Sequence, residues 1–390
     1  MGKKRLLVTA STFPRWKDDT EPRFVLDLCQ SVTEDFDVTV LVPAAPGALQ
    51  EEMIGDVHVI RYHYFPIHKW ETLCYPGAIV PRIKEKKIRA LLVPFLMISL
   101  WCKLKKMLCQ YDVVHAHWLI PQGIIQSFFK KPYVVTGHGG DVTSLNFGIL
   151  KKLKARCVRN AGYVTVVSSF LENEVKKISS VDNIKIMPMG CNLDSFSPDY
   201  AVKNYFNQGD KKVILFVGRL AEKKGVKYLI EAMKKVDGIL AIVGQGPLEE
   251  ELKTQARDFG DKIIFLGAKT HEELSKIYAS ADIFVAPSVT AKDGDKEGFG
   301  LVMLEAMASG LPVVAFDSGG ISELITHNEN GLLCPEKDVE GLSCNINKLL
   351  NDESMYELLV QNGKRTAEKY SYKEIGKQYS EIYAKVMENS

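Results

Sequence analysis

Residues 213–225 read Val213-Ile214-Leu215-Phe216-Val217-Gly218-Arg219-Leu220-Ala221-Glu222-Lys223-Lys224-Gly225, and the order of residue types in this stretch decides the fold around it. The β-branched and apolar run is a strand buried on both faces, expected over 212–217, the two glycines bracket a turn, and a helix is expected from Val226. A strand-to-helix turn of this kind presents backbone N–H groups to an anion. Arg219 and Lys224 set two cations beside that seat, one a planar fork and one a mobile point charge, which together suit a diphosphate. The plainer reading is a solvated basic turn, since charged turns are common on surfaces; the position directly after a buried strand favours the anion seat.

The same alternation extends in both directions. Downstream, strands are expected at 239–243, 262–266, 282–286 and 312–316, with helices beginning near Val226, Leu248, His271, Gly300 and Ile321. Upstream they are expected at 5–10, 37–42, 57–62, 112–117, 133–137, 163–167 and 185–188, with helices near 23–33, 88–108, 122–129, 149–159 and 169–177. Strands alternating with helices describe an α/β protein, and a polar stretch following Gly190 and running to Asp210 divides it into two doubly wound, Rossmann-like domains. The first is expected over 1–195 and the second over 211–371; a last helical pattern, 372–390, has no strand after it and is free to cross back onto the first. Open sheets of this type bind ligands beyond the carboxyl ends of their strands, so function is expected in a cleft between the two domains.

Composition fits this picture. A chain of 390 residues, 46% hydrophobic and 25% charged, can bury two cores and excludes disorder or a fibrous repeat. A net charge of +2 argues against nucleic acid as a partner. The eight cysteines form no CxxC pair, the pattern of reduced thiols in a cytoplasm rather than of a disulfide framework or a zinc site. The N-terminal run Leu6 to Ala10 is too short for an export signal, and Ala90 to Cys102 is about half of the roughly 20 residues that a spanning helix needs.

A second chemical element is Glu297-Gly298-Phe299-Gly300-Leu301-Val302-Met303-Leu304-Glu305. Its glycines allow close backbone approach at an expected helix N-terminus, another anion seat. Eight residues of helix would set Glu297 and Glu305 roughly 80 degrees apart, so that both carboxylates face one side. One would meet a sugar carbon or hydroxyl and the other a ribose diol. The alternative is that Glu305 only caps or pairs within an apolar helix, although a carboxylate beside Leu304, Ala306 and Met307 needs some partner.

Taken together, Gly218-Arg219-Leu220 followed by Lys224-Gly225, the Glu297/Glu305 pair and Gly319-Gly320-Ile321-Ser322-Glu323 resemble the retaining GT-B glycosyltransferases of family four. The likeness spans nearly the whole chain, and includes Asp112 to His117, the loop Thr136-Gly137-His138-Gly139-Gly140-Asp141 and Val243-Gly244-Gln245-Gly246-Pro247. It implies a nucleotide-sugar donor and a glycan or lipid-linked acceptor in cell-surface polysaccharide or glycolipid synthesis, with no cofactor and no metal. It implies that Arg219 and Lys224 clamp the donor diphosphate, that Glu305 holds the ribose hydroxyls and that Glu297 stands beside the transferred sugar. Gly218, Gly298, Phe299, Gly300 and Leu301 would supply backbone contacts, Gly244, Gly246, Ala268 and Lys269 the nucleotide wall, and His138 a first-domain contact to the sugar. The resemblance implies front-face substitution, the leaving phosphate taking the acceptor proton, so that charge stabilisation on the diphosphate is where binding energy counts. His115 and His117 alternate to one face of a strand with no further ligand nearby and are read as structural or as lining the acceptor side, not as a metal site.

Three other classes share part of this pattern. A nicotinamide dehydrogenase needs Gly-x-Gly-x-x-Gly after its first strand; the nearest match, Gly244 to Glu249, lacks the third glycine. An inactive sugar-nucleotide-binding subunit is opposed by the intact Arg219, Lys224, Glu297 and Glu305. A sugar-nucleotide epimerase of the same fold would need no acceptor.

The acceptor side departs from the family. The loop 13–24 lacks the glycine pair that many relatives carry there, with no glycine between Leu6 and Gly47. Arg15, Trp16, Lys17 and Arg23 suggest an anionic or sugar-bearing acceptor, Trp16 serving as a stacking platform and Asp141 and His117 contributing from neighbouring loops, against the alternative of a plain surface loop. Finally, the basic run Arg82 to Arg89, the apolar Ala90 to Cys102 and Lys103, Lys105 and Lys106 read either as an element that seats the protein on the inner face of the cell membrane or as a core helix with solvated ends.

Overall fold

The computed structural model describes residues 2–17, 19, 21–207 and 209–389. The chain divides into two compact units, Met1–Gly190 with Tyr372–Ser390, and Cys191–Ser371. In the first, β1 (Lys4–Thr9), β2 (Phe36–Pro43), β3 (Glu51–Ile54), β4 (Val57–Tyr62), β5 (Val113–His117), β6 (Tyr133–Gly137), β7 (Tyr163–Val166) and β8 (Ile184–Ile186) form a sheet of order β3-β4-β2-β1-β5-β6-β7-β8. Every pairing is parallel except β3 with β4. All residues of β5 and β6 are buried, because helices cover both faces, and this is why such strands read as continuous runs rather than alternating ones. The chain builds outward from β1 to β4 and then restarts on the other side of β1 with β5. The loops after β1 and β5 therefore splay apart at the switch point where α/β sheets bind ligands.

The closing helix Tyr372–Glu388 belongs to this unit and packs on the Phe24–Ser31 helix, β5 and β6. Ile375, Tyr379, Ile382, Tyr383 and Val386 are its buried stripe, at the spacing of one helix face. Tyr383 also places its hydroxyl 2.8 Å from His115 Nδ1, under the sheet.

In the second unit β9 (Val213–Val217), β10 (Ile239–Val243), β11 (Ile263–Gly267), β12 (Ile283–Ala286), β13 (Val313–Asp317) and β14 (Leu332–Pro335) form an all-parallel sheet of order β11-β10-β9-β12-β13-β14. Here the switch lies at β9 and β12, so the Arg219–Lys224 turn and the Glu297 loop leave the sheet at the same place. The Leu301–Ala308 helix that follows is covered by the long Glu353–Lys369 helix.

Two boundaries differ from expectation. The stretch 192–210 is not a free linker between 195 and 211: the division falls after Gly190, and Phe196 is buried with its ring edge-on to His271 and Tyr278 of the second unit. Backbone polar groups there are also satisfied by that unit, Ser195 O accepting from Ser275 Oγ and Val202 N–H donating to Ser280 Oγ. The polar composition masked one aromatic anchor.

Candidate active site

Gly225, at φ +63°, ends the turn after β9 in the left-handed region, and a Cβ added to it would lie 1.8 Å from the Pro287 carbonyl oxygen. Only glycine lets the turn close on the loop after β12 this tightly. Val289 N–H donates to Lys223 O at 2.8 Å across the same junction. On the other side, Gly218 N–H and Leu220 N–H donate to Val243 O and Gln245 O. A Cβ on Gly244 would stand 2.0 Å from Gly218 O. Gly244 and Gly246, expected as nucleotide wall, therefore act first as the surface against which the β9 turn is moulded. Gly244 N–H in turn donates to Gly267 O at the end of β11, while Lys269 next to Ala268 pairs with Glu273 in the first turn of the His271–Ala279 helix.

This clamping brings Lys224 Nζ onto the Glu297 carboxylate, an ion pair between residues 73 apart in sequence. Lys224, Glu297, Gly300 and Met303 line one crevice with Ser288. Burial alone would raise the Glu297 pKa, but the charges of Lys224 and Lys223, the Lys224 hydrogen bond and the Gly298 N–H outweigh it and hold the carboxyl at about 2. Glu297 is thus a carboxylate throughout the physiological range. Lys223 completes the cluster through Asp295 at 3.1 Å. Glu297 is also fixed through its backbone, its carbonyl accepting from Gly320 N–H at 3.0 Å, which gives the Gly319-Gly320 motif a physical task. Glu336 pins the same loop by accepting from Thr290 N–H, Thr290 Oγ1 and Ser318 Oγ.

Glu297 and Glu305 do not share a helix. The helix starts at Leu301, after Gly300 in the left-handed conformation, so the 80-degree relation does not apply; Glu297 sits in the loop and Glu305 lies about 6 Å along the axis from Leu301. Glu305 is half-buried and accepts a 2.8 Å hydrogen bond from the hydroxyl of Tyr278, a buried residue that sequence reasoning passed over. Phe299 is buried against Tyr370, leaving the backbone of Gly298, Gly300 and Leu301 as the groups the loop presents.

In the first unit His138 follows β6 among the rings of Phe24, Trp118 and His117 at 4.9–5.2 Å. Its Nε2 lies 2.9 Å from His117 Nδ1, so the tautomer of one ring sets that of the other. Trp118 holds φ +71°, a strained conformation of the kind found at functional sites. His117 is fully buried behind His138, which places it in support and not at a surface open to an acceptor. Asp141 is likewise committed: it accepts from Leu119, His138 and Gly139 N–H at 2.8–3.0 Å and braces the loop that carries His138. Arg15 and Trp16, expected on the acceptor side, engage each other and Asp19. The Arg15 fork is bidentate on Asp19 and lies 4.0 Å over the Trp16 ring, occupying one face of that platform. Asp18 and Thr20 of the same loop lie outside the described residues. Buried Arg61 anchors the loop by donating to Pro14 O and Arg15 O; an arginine in the strand pattern Val57-His58-Val59-Ile60-Arg61 was the available signal.

Burial lowers the pKa of His115 and His138 to about 3 and holds that of His117 well below its ordinary value. All three are neutral when folded, whereas the unfolded chain takes up protons below about 6.5. The contribution of these three histidines to the stability of the first unit is therefore fully present above about 6.5 and is lost as the pH falls towards 3. The melting temperature of that unit is expected to drop between pH 7 and 5, and His138→Asn to flatten the drop in a calorimetric pH series.

Two Rossmann-like units, the second with a cationic turn, an acidic loop and a helix N-terminus at its switch point, define a GT-B architecture. The model described as Glycosyltransferase Family 4 matches residues 22–195, and that described as Glycosyl transferases group 1 matches residues 201–366. The chain is 33% identical over 304 residues to an uncharacterised glycosyltransferase of Methanocaldococcus jannaschii, covering 72% of this chain and 76% of that one. It is 30% identical over 349 residues to the GDP-mannose-dependent alpha-(1-6)-phosphatidylinositol monomannoside mannosyltransferase of Mycolicibacterium smegmatis, covering 82% and 88%. Among solved structures, sucrose-phosphate synthase from Thermosynechococcus elongatus superposes with a TM-score of 0.81 over 100% of both chains at 23% identity. The chain belongs to the group 1 glycosyltransferases of the family 4 type.

Proposed function

We propose that the chain transfers a hexosyl unit from a nucleoside-diphosphate sugar to a glycan or lipid-linked acceptor with retention of anomeric configuration, in surface polysaccharide or glycolipid synthesis. The observation that carries this reading is the meeting of Lys224 with Glu297 at the β9–β12 switch point, beside the N-terminus of the Leu301–Ala308 helix. Lys224 and Arg219 bind the diphosphate and stabilise charge as the bond from sugar C1 to phosphate oxygen breaks. The acceptor oxygen bonds to C1 on the same face, and its proton passes to the departing phosphate oxygen. These two cations supply the charge that a metal supplies elsewhere, so the proposed reaction is metal-independent. Glu297, ionised and held by Lys224, orients sugar hydroxyls and faces the electron-poor C1, and His138 contacts the transferred sugar. The GDP-mannose dependence and phosphatidylinositol-based acceptor named for the mycobacterial relative support a nucleotide-sugar donor and a lipid-linked acceptor.

Incubation with labelled nucleotide sugars, with and without membrane extract, tests the reading. Transfer of label to a product whose anomeric configuration matches the donor supports it; an altered free sugar with no acceptor requirement would mark an epimerase, and donor binding without turnover an inactive subunit. Glu305 is assigned to the ribose diol, with Tyr278 setting its orientation. Glu305→Ala is expected to weaken nucleoside diphosphate binding by calorimetry about 10-fold to 100-fold, the range of a charged hydrogen bond, and Tyr278→Phe by a few-fold. Unchanged affinity in a folded Glu305→Ala variant removes Glu305 from the ribose site.

A further inference from the structure

The Val93–Met107 helix buries Leu96, Leu100 and Leu104, one stripe spaced by four residues, against the first unit. A helix that only served the core would present polar residues outward. This one presents Phe95, Ile98 and Trp101, and the turn before it adds Ile88 and Leu91, 72% and 68% exposed. The patch continues into the loop after β4. The Phe65 ring lies 4.9 Å from Phe95 and 5.8 Å from Trp70, which is itself exposed.

Cations frame this apolar strip at both ends. Residues 82–106 hold eight lysines and arginines and one acid, Glu85, in a chain whose net charge is only +2, so the remainder is net negative. Glu85 is held by Arg82 and Arg89 at 2.7 and 3.0 Å. Lys105 lies along Trp101, its Nζ 5.1 Å from the ring centroid, the posture of a side chain that lays its stem on apolar surface and keeps its charge at the edge. Among the described residues no helix is long and apolar enough to cross a membrane.

We propose that this face of the first unit, from the Phe65–Trp70 loop to Lys106, docks on an anionic lipid bilayer. The apolar and aromatic side chains enter the headgroup boundary and the flanking lysines meet lipid phosphates. A partner protein would be met by apolar contact as well, but the pairing of an aromatic strip with an excess of lysines and arginines over acids on both flanks fits a uniform anionic surface best. The surface acts independently of donor chemistry, and each can fail without the other.

The test uses the full chain sedimented with vesicles of phosphatidylcholine alone or mixed with phosphatidylglycerol. Binding is expected only to the mixed vesicles and to weaken with salt. Leu91→Ser with Ile98→Ser is expected to lower binding at least tenfold, and Lys105→Glu with Lys106→Glu by about fivefold or more per residue, while melting temperature and acceptor-free donor hydrolysis stay unchanged. Equal binding to neutral vesicles, or equal binding by these variants, overturns the proposal. So does a dimer in sedimentation equilibrium that the Leu91→Ser, Ile98→Ser variant dissolves, which would assign the face to a second copy.

Discussion

Replacing Lys224 with alanine is expected to lower kcat/KM for the donor by about 10²–10³-fold, the loss typical of removing one group aimed at charge that develops in the transition state. The expectation is steeper than for a lone surface lysine because two functions go at once. The proposed diphosphate site loses its mobile cation, and Glu297, half-buried in the crevice, loses its principal counter-charge. With burial then opposed only by Lys223 and the Gly298 N–H, the Glu297 carboxyl is expected to titrate higher than the value of about 2 that it holds in the intact protein. The variant should therefore acquire an acid limb in its pH–rate profile that the parent lacks. Lys223→Ala, which removes the contact to Asp295 and a weaker field on Glu297, is expected to stay within about tenfold of the parent. Steady-state kinetics over a pH series checks both; equal losses for the two lysines would remove Lys224 from the diphosphate.

Gly225→Ala is expected to be the most destabilising single methyl group in the second unit. Its Cβ would meet the Pro287 carbonyl oxygen at 1.8 Å, and the φ of +63° adds left-handed strain. Neither partner is a movable side-chain end, so the β9 turn and the loop after β12 must part. A loss above about 4 kcal/mol is expected, a lowering of the second unit's melting temperature on the order of 10 °C. Donor binding should fall with it, because parting those loops separates Lys224 from Glu297. Gly209→Ala provides the control: Gly209 is also left-handed but has nothing within 4 Å of its added Cβ, and only the backbone strain of about 1–2 kcal/mol is expected. Calorimetry that resolves the two units checks the pair.

Strands such as β9 and β10 could be located from the chain alone, because burial on both faces writes a continuous apolar run. The returning helix was visible for a related reason, its stripe of Ile375, Tyr379, Ile382 and Tyr383 having no strand beyond it. β3 escaped notice because Glu51 and Glu52 open an edge strand, paired with β4. The four residues of β14 were too few to show a period, and the Glu353–Lys369 helix follows the preceding one after a single residue, Asp352.

Residue identity at the candidate site of the second unit was readable, since glycines, two cations and two acids at fixed spacing imply an anion seat. Which of them touch was not. The Lys224–Glu297 pair joins residues 73 apart, and its existence depends on how two loops pack, through Gly225 against Pro287. On the first unit the same dependence on packing holds: Arg15, Asp141 and His117 engage Asp19, three backbone N–H groups and His138. Tyr278, Arg61 and Trp118 gave no motif, only a polar or aromatic side chain on an otherwise ordinary element.

A crystal structure of the chain with a nucleoside diphosphate bound puts the assignment to its most direct trial. The diphosphate oxygens are expected within hydrogen-bond distance of both Arg219 and Lys224, with the ribose diol on the Glu305 carboxylate and the terminal phosphate over the backbone of Gly300 and Leu301. A nucleotide bound elsewhere on the second sheet, or one whose diphosphate leaves Lys224 paired to Glu297 and untouched, would contradict it.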